Sequence, residues 1–242
     1  MAASVLGAGL VACGDDDNSS NNNNNDNNNT NPTSLSFTPV AKSLADALVI
    51  PTGYTATVLY AVGDPLNNNI AAYKNDGTDT DFDYRAGDHH DGMYYFGLDT
   101  STNKYAASNA DAGLLCMNHE NMTQIFLHTA SEAATARTAA QVDKEIAVHG
   151  VSVVDIRKSG TTFQVNKASA FNRRITAATT VDMSGPAAGD DMLFTKYSPT
   201  GLQTRGTLNN CANGYTPWGT YLTCEENWAG YFKTNTASLA DG

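Results

Sequence analysis

The residues from 206 to 228 hold the densest group of metal-binding side chains in the chain. Cys211 and Cys224 stand in one short segment with Glu225 and Glu226. A thiolate is a soft ligand that selects iron, zinc or copper, whereas carboxylates and amide carbonyls suit hard cations such as calcium. The segment therefore predicts a mixed metal site. A Cys211–Cys224 disulfide is the alternative interpretation of the same two cysteines.

The two adjacent glutamates constrain how this segment reaches a site. A strand is predicted at 220–224, and alternation of side chains puts Glu225 and Glu226 on opposite faces of it. Both carboxylates reach one site only if the strand ends near Glu225. Asn227 and Gly230 follow and favour such an end.

Three further clusters contain possible ligands. Glu120 follows a predicted strand at 113–117 and is a candidate carboxylate ligand, with His119 beside it. Residues 88–91 read Asp-His-His-Asp, and of the adjacent histidines, which include His90, at most one serves a given site because neighbours alternate faces. His149 precedes another predicted strand, where a capping or packing role is the alternative to ligation.

Residues 172–175 contain the basic pair Arg173 and Arg174. An arginine held there binds phosphate oxygens through two parallel hydrogen bonds. A surface ion pair with an acidic residue is the alternative. The sequence contains no Gly-x-Ser-x-Gly nucleophile motif and no phosphate loop ending in Gly-Lys-Ser/Thr, which disfavours the classes that depend on them.

The chain is acidic, with 25 Asp and Glu against 14 Lys and Arg and a formal net charge of −11. This balance argues against a nucleic-acid partner, because basic residues supply that affinity. It suits a cation-binding protein, although surplus surface acid kept for solubility is the commoner explanation.

The N-terminal residues resemble a lipoprotein signal. Residues 1–13 end in Leu-Val-Ala-Cys, so Cys13 is the predicted lipidated residue, and the Asn-rich residues 14–34 predict a disordered tether. The apolar run is too short to span a bilayer. No Lys or Arg precedes it, and a chance cysteine is the alternative. We therefore expect an extracytoplasmic protein whose membrane contact is a lipid anchor.

From residue 35 onward the pattern is mainly β. Strands are predicted at 54–62, 93–98, 113–117, 151–156, 162–165, 175–181 and 220–224, where Val, Ile, Thr and aromatic residues alternate with turn residues. Strands 151–156 and 162–165 form a predicted hairpin turning at Ser159 and Gly160. Helices are predicted at 41–48 and, as an insertion between sheets, at 131–146. Many short antiparallel strands favour a sandwich, a barrel or a propeller.

Several motifs together resemble the PhoX family of secreted alkaline phosphatases. They are Asn-His-Glu at 118–120, His-Gly-Val-Ser-Val-Val-Asp-Ile at 149–156, Asn-Arg-Arg-Ile-Thr at 172–176, Ser-Gly-Pro-Ala at 184–187 and the whole segment 206–228. The resemblance implies a six-bladed β-propeller with long insertions, incomplete over residues 35–242 because PhoX chains are much longer. It also implies hydrolysis of small phosphate monoesters outside the cytoplasm, in the service of phosphate acquisition.

The same resemblance implies a site that contains iron and calcium. Cys211 would be the thiolate on iron, and Glu120, Glu225 and Glu226 would be carboxylate ligands. Arg173 and Asn210 would lie near the substrate. Cys224 would be a buried free thiol or a packing residue. A non-catalytic, calcium-stabilised β-propeller that binds partners at the cell surface is the alternative from a different functional class.

Overall fold

The computed structural model describes residues 37–133 and 136–232. The chain divides into two compact units, Met1–Ala56 and Thr57–Gly242. The described part of the first unit contains no helix or strand, and nearly all its residues are exposed.

Two predictions near the start of the described chain are wrong. Neither a helix at 41–48 nor a strand at 54–62 forms. A short helix costs free energy to nucleate and is stable only when it buries an apolar face. Residues 41–48 are exposed throughout, so nothing offsets that cost.

The second unit is built on a six-stranded antiparallel sheet with the order β2-β1-β3-β4-β5, and β6 pairs with β4 beside β5. Its strands are β1 His90–Asp99, β2 Lys104–Tyr105, β3 Ala112–His119, β4 Gly150–Ser159, β5 Thr162–Val165 and β6 Arg173–Ile175. Two smaller antiparallel sheets follow, β7 Thr180–Asp182 with β8 Gln203–Arg205, and β9 Asn210–Tyr215 with β10 Tyr221–Glu225. The mainly β class is confirmed. Across the described ranges no sheet closes on itself.

The predicted strands 93–98, 113–117, 151–156 and 162–165 lie inside observed ones, and 220–224 overlaps β10. The hairpin of β4 and β5 forms as predicted, with Ser159 paired to Thr162 and Gly160 in the left-handed region at φ 62°. The prediction of one strand over 175–181 is wrong, because a turn interrupts it. There Thr179 donates its backbone N–H to the carbonyl of Thr176 at 2.9 Å.

The helices are short: α1 Gln124–Leu127, α2 Ala130–Ala133 and α3 Ala139–Val148, with 3-10 turns at Phe82–Tyr84, Asp191–Leu193 and Trp228–Tyr231. The single helix predicted at 131–146 is wrong, because Thr138 starts a new helix through a reciprocal capping box with Gln141. The helices connect β3 and β4, which are neighbours in one sheet, so they are not an insertion between sheets. Within the described residues, none of the helices has the length and apolar character needed to cross a membrane.

Both faces of the central sheet are packed. One face carries the larger cluster, formed by Tyr60, Leu66, Ala86, Leu115, Met117, Val154 and Ile156. The opposite face carries Phe96, Cys116 and Val153, with Tyr221 of the β9–β10 hairpin packed against them. Burying a large aliphatic side chain contributes roughly 1.5–3 kcal/mol. The sheet is therefore a rigid support for the residues at the ends of its strands.

Candidate metal centre

Ligand side chains converge where β1 begins and β3 ends. Atoms of Asp91, Glu120 and Cys211 all lie within 4.8 Å of one another, and all three residues are partly buried. His90 of β1 pairs with His119 of β3, so the residues that follow these two, Asp91 and Glu120, come to the same end of the sheet. The β9–β10 hairpin brings Cys211 to them.

Glu226 joins this group. The Cys211 thiol forms hydrogen bonds with the carboxylates of Asp91 and Glu226, which raise its pKa to about 12 because they accept its proton and repel the thiolate. In the part of the chain that the structure describes, no Lys, Arg or His forms an ion pair with Asp91, Glu120 or Glu226. We call these four residues, Asp91, Glu120, Cys211 and Glu226, the acidic cluster.

Glu225 lies apart from the acidic cluster. As predicted, strand β10 ends at this residue. Its carboxylate accepts hydrogen bonds from the Thr207 hydroxyl at 2.7 Å and from the backbone N–H of Leu208 at 3.1 Å. Glu225 therefore faces the 207–208 turn, and of the two adjacent glutamates only Glu226 contacts the Cys211 thiol.

Asn209 connects the two glutamates of the acidic cluster through the backbone. Its side-chain amide donates to the carbonyl of Glu120 at 3.2 Å, and its own carbonyl accepts from the N–H of Glu226 at 3.0 Å. Its φ of 49° lies in the left-handed region, which asparagine tolerates better than most residues. Asn209 therefore holds the ends of β3 and β10 together beside Cys211.

Gly92 allows β9 to approach β1 closely. A Cβ atom at this position would lie 2.6 Å from the carbonyl oxygen of Cys211 and 2.8 Å from the side-chain oxygen of Asn213. Any larger residue here would push the hairpin away from Asp91, the preceding residue.

The cysteines of the described chain are free. Cys211 and Cys224 are not joined, so the disulfide alternative is wrong. Cys224 is exposed and not buried, because its side chain leaves β10 on the side away from the sheet core. Cys116 is buried, which raises the pKa of its thiol to about 11. The predicted lipidation site, Cys13, lies outside the described residues.

The three predicted histidines contribute hydrogen bonds within the fold. His119 is completely buried, with its ring nitrogen 2.9 Å from the Ser152 hydroxyl and its ring centroid 4.9 Å from that of His90. His149 lies 3.2 Å from the Tyr231 hydroxyl. Burial lowers the pKa of all three histidines, so they are neutral at neutral pH and bring no positive charge to the acidic cluster.

The two adjacent arginines have different surroundings. Arg173 is exposed and lines a cavity of about 530 Å³ on the Cys116 face of the sheet. Arg174 is buried and donates to backbone carbonyls. Asn210 is also completely buried, and its amide donates to the hydroxyls of Thr207 and Thr223. In this structure Arg173 is accessible to a substrate and Asn210 is not.

The sequence interpretation missed two residues. Asp91 lies in the 88–91 cluster, whose predicted candidates are the histidines. Its position could be inferred from antiparallel pairing, which places the start of β1 beside the end of β3 and so brings Asp91 close to Glu120. Asn118 was within the 118–121 motif, yet a buried amide inside a strand has no signature that separates it from a surface asparagine.

Fold and cluster together define a β-rich protein with a candidate metal-ligand set of one thiol and three carboxylates. The chain matches the model of alkaline phosphatase PhoX over residues 35–241, and it belongs to the PhoX family. Among solved structures it is similar to Pseudomonas fluorescens PhoX in complex with vanadate, a transition state analogue, with 34% identity and a TM-score of 0.70. The match covers 78% of this chain and 31% of that chain. No curated protein sequence matches.

Proposed function

We propose that this protein is a metal-dependent phosphatase that hydrolyses phosphate monoesters, and that its acidic cluster holds part of an iron and calcium centre. The observation that carries the proposal is the convergence of Cys211 with Asp91, Glu120 and Glu226 in a member of the PhoX family. Because this chain spans 31% of the related solved chain, the activity is proposed for a polypeptide of that greater length.

The donor set fits the two proposed metals. A thiolate with carboxylates suits iron, and carboxylate oxygens suit calcium. Among the described residues no cation pairs with the carboxylates of the acidic cluster, and a metal ion would neutralise their charge. Calcium takes about six to eight oxygen ligands. Water or further parts of a PhoX-length chain would have to supply those that the three carboxylates of the acidic cluster do not.

The residues of this chain would hold and orient the reactants. Bound metal ions would neutralise phosphate charge and provide an activated water or hydroxide, so no side-chain nucleophile is assigned. Asn209 and the β1–β3 pairing keep the ligand residues in place. Arg173 would bind phosphate oxygens, since its guanidinium is exposed beside a cavity.

We also propose the family architecture and location for this protein. Its open antiparallel sheets would form part of a six-bladed β-propeller. Residues 1–13, ending at Cys13, would be a lipoprotein signal, and residues 14–34 a tether that places residues 35–242 outside the cytoplasm, where the enzyme would release phosphate for uptake.

The test uses protein expressed from its complete gene. Metal content is measured by mass spectrometry and turnover with p-nitrophenyl phosphate, for the parent, Cys211→Ser and, as the matched control, Cys224→Ser. We expect Cys211→Ser to lose iron and turnover while Cys224→Ser keeps both, because Cys224 is exposed and outside the acidic cluster. Bound calcium without any turnover in the parent would instead support the non-catalytic surface propeller.

A further inference from the structure

We propose that Asn118 is a positioning residue that fixes Cys211 against Asp91 and Glu120. This inference rests on the proposed metal-binding role of the acidic cluster and assigns a residue that, with Asn209, helps to assemble it. Asn118 lies in β3, two residues before Glu120, and is completely buried.

The Asn118 side chain uses all of its hydrogen-bonding capacity on the β9–β10 hairpin. Its amide nitrogen donates to the carbonyls of Cys211 at 2.8 Å and Ala212 at 3.2 Å. Its oxygen lies 2.9 Å from the hydroxyls of both Tyr221 and Thr223. A primary amide has two donor hydrogens and two acceptor lone pairs. Both hydrogens have carbonyl partners, and the oxygen accepts from Thr223 and shares the single Tyr221 proton with the carbonyl of Gly92.

This side chain matters because the hairpin does not join the central sheet through its backbone. Strands β9 and β10 form a separate two-stranded sheet, and among the described residues no backbone–backbone hydrogen bond connects them to β1 or β3. Side chains make the connection instead. Asn118 binds β9 from β3, and Asn213 donates from β9 to the carbonyl of Met93 in β1 at 3.1 Å.

The hydrogen bonds around Asn118 also extend to Gly92, the neighbour of the third candidate ligand, Asp91. The Tyr221 hydroxyl lies 2.9 Å from the Asn118 oxygen and also 2.9 Å from the carbonyl of Gly92, which follows Asp91. Asn118 thus contacts the backbone of Cys211 directly, precedes Glu120 by two residues, and is linked through Tyr221 to Gly92, the residue after Asp91. Its loss should separate the ligand atoms without removing any of them.

The first experiment measures metal affinity in the complete chain, with Co²⁺ as the probe because a cobalt–thiolate bond gives a charge-transfer band. Asn118→Leu keeps a similar volume and removes all four hydrogen bonds. We expect Co²⁺ affinity to fall about 10- to 100-fold, the range found for groups that orient metal ligands, and the thiolate band to weaken. Equal affinity and an unchanged band in the folded variant would overturn the proposal.

Asn172→Leu is the matched control. Asn172 is a partly buried amide that also joins separate segments. It donates to the carbonyls of Leu66 at 2.6 Å and Asn166 at 2.9 Å, and none of its recorded hydrogen bonds involves the acidic cluster. It should destabilise the fold without changing Co²⁺ affinity in the folded protein. A comparable loss of affinity in Asn172→Leu would show that the effect of Asn118→Leu is general destabilisation, which also overturns the proposal.

A second measurement needs no metal and separates this proposal from the proposed function. In Asp91→Cys, a short bifunctional thiol reagent should link position 91 to Cys211, as peptide mapping would show, because the two ligand atoms lie within 4.8 Å. Adding Asn118→Leu should reduce this link several-fold, and adding Asn172→Leu should not. If the parent binds no Co²⁺ but the link depends on Asn118, the metal function fails and the positioning role stands. A link that forms equally in both double variants would refute the positioning role.

If Asn118→Leu does not fold, Tyr221→Phe combined with Thr223→Val is the milder substitute. It removes the two hydroxyl groups that contact the Asn118 oxygen and keeps the amide. The same two measurements should then change in the same direction by a smaller factor. No change in either would contradict the proposal.

Discussion

Arg174 and the acidic cluster are two charged regions of one sheet, and they are built in opposite ways. The guanidinium of Arg174 is enclosed and donates hydrogen bonds of 2.5 to 3.2 Å to five backbone carbonyls, those of Val151, Phe82, Arg85, Val148 and His149. The acidic cluster brings three carboxylates to a thiol with no cation from the described protein.

The difference teaches how to separate a structural charge from a functional one. A buried charge is tolerated when hydrogen bonds satisfy it, and the carbonyls around Arg174 do so completely. Like charges placed together without a partner raise the free energy of the fold. The acidic cluster therefore fits the cation proposed above, whereas Arg174 requires nothing from outside the protein.

The largest change in the free energy of unfolding should come from Arg174→Met. Removing the guanidinium takes a donor from five carbonyl oxygens. That of Phe82 still accepts from the Arg85 N–H at 3.3 Å, and each buried group left unsatisfied costs about 1–3 kcal/mol. We expect the free energy of unfolding to fall by at least about 3 kcal/mol, measured by urea denaturation. Arg173→Met is the control, since an exposed substitution usually stays within about 0.5 kcal/mol. Similar losses in both variants would contradict the structural role of Arg174.

Metal binding should give the next largest change in stability, and this change should depend on the acidic cluster. A ligand that binds the native state alone, at about 100 times its Kd, stabilises it by about 2.7 kcal/mol. We expect added Fe²⁺ under anaerobic conditions to raise the melting temperature of the parent, EDTA to reverse the rise, and Asp91→Asn to reduce it strongly. An equal rise in Asp91→Asn would place the metal elsewhere.

The thiol of Cys211 gives a smaller, pH-dependent effect. In metal-free protein its pKa is raised to about 12 by Asp91 and Glu226, so the folded state holds the thiol proton more tightly than the unfolded state. The stability that this proton contributes is present below the ordinary thiol pKa of about 8.5 and is lost as the pH rises towards 12.

Asp91→Asn should therefore lower the pKa of Cys211 and speed its alkylation at pH values near 9. The measurement is the pH dependence of iodoacetamide labelling, followed by peptide mapping. Cys116 serves as an internal control, because burial and not a carboxylate raises its pKa to about 11. Unchanged labelling of Cys211 would mean that Asp91 does not face the thiol.

The smallest effect should follow from Glu225→Gln. The amide oxygen still accepts hydrogen bonds from Thr207 and Leu208, and the residue lies apart from the acidic cluster. Metal affinity by titration should stay within about twofold of the parent, equivalent to a few tenths of a kcal/mol. Glu226→Gln, its neighbour, should reduce the affinity more. The reverse order would show that the two glutamates have been assigned to the wrong partners.

Strands β1, β3 and β10 could be predicted from runs of Val, Ile, Thr and aromatic residues, whereas β9, which carries Cys211, was not predicted. The positions of Glu120 and Cys211 followed from the strand ends and from motif density. The split between Glu225 and Glu226 could not be predicted, since it depends on where β10 ends and on a turn at 207–208 with which Glu225 makes its hydrogen bonds.

The predictions that were wrong concern segments that lack distant packing contacts or that contain a residue favouring a different local structure. Residues 41–48 have helix-forming composition but no surface to pack against. The predicted helix at 131–146 was divided by Thr138, whose side chain favours a new helix start. The positioning role of Asn118 could not be predicted, because its four hydrogen-bond partners lie 93 to 105 residues away in sequence.

That separation sets an order of events during synthesis. The strands bearing Asp91 and Glu120 emerge from the ribosome long before Cys211, and the Tyr221 to Gly92 contact spans 129 residues. Closing so long a loop costs entropy that only later contacts repay. The hairpin should therefore dock after the central sheet has formed, and until then Asp91 and Glu120 would lack the Cys211 thiol that the proposed metal centre needs.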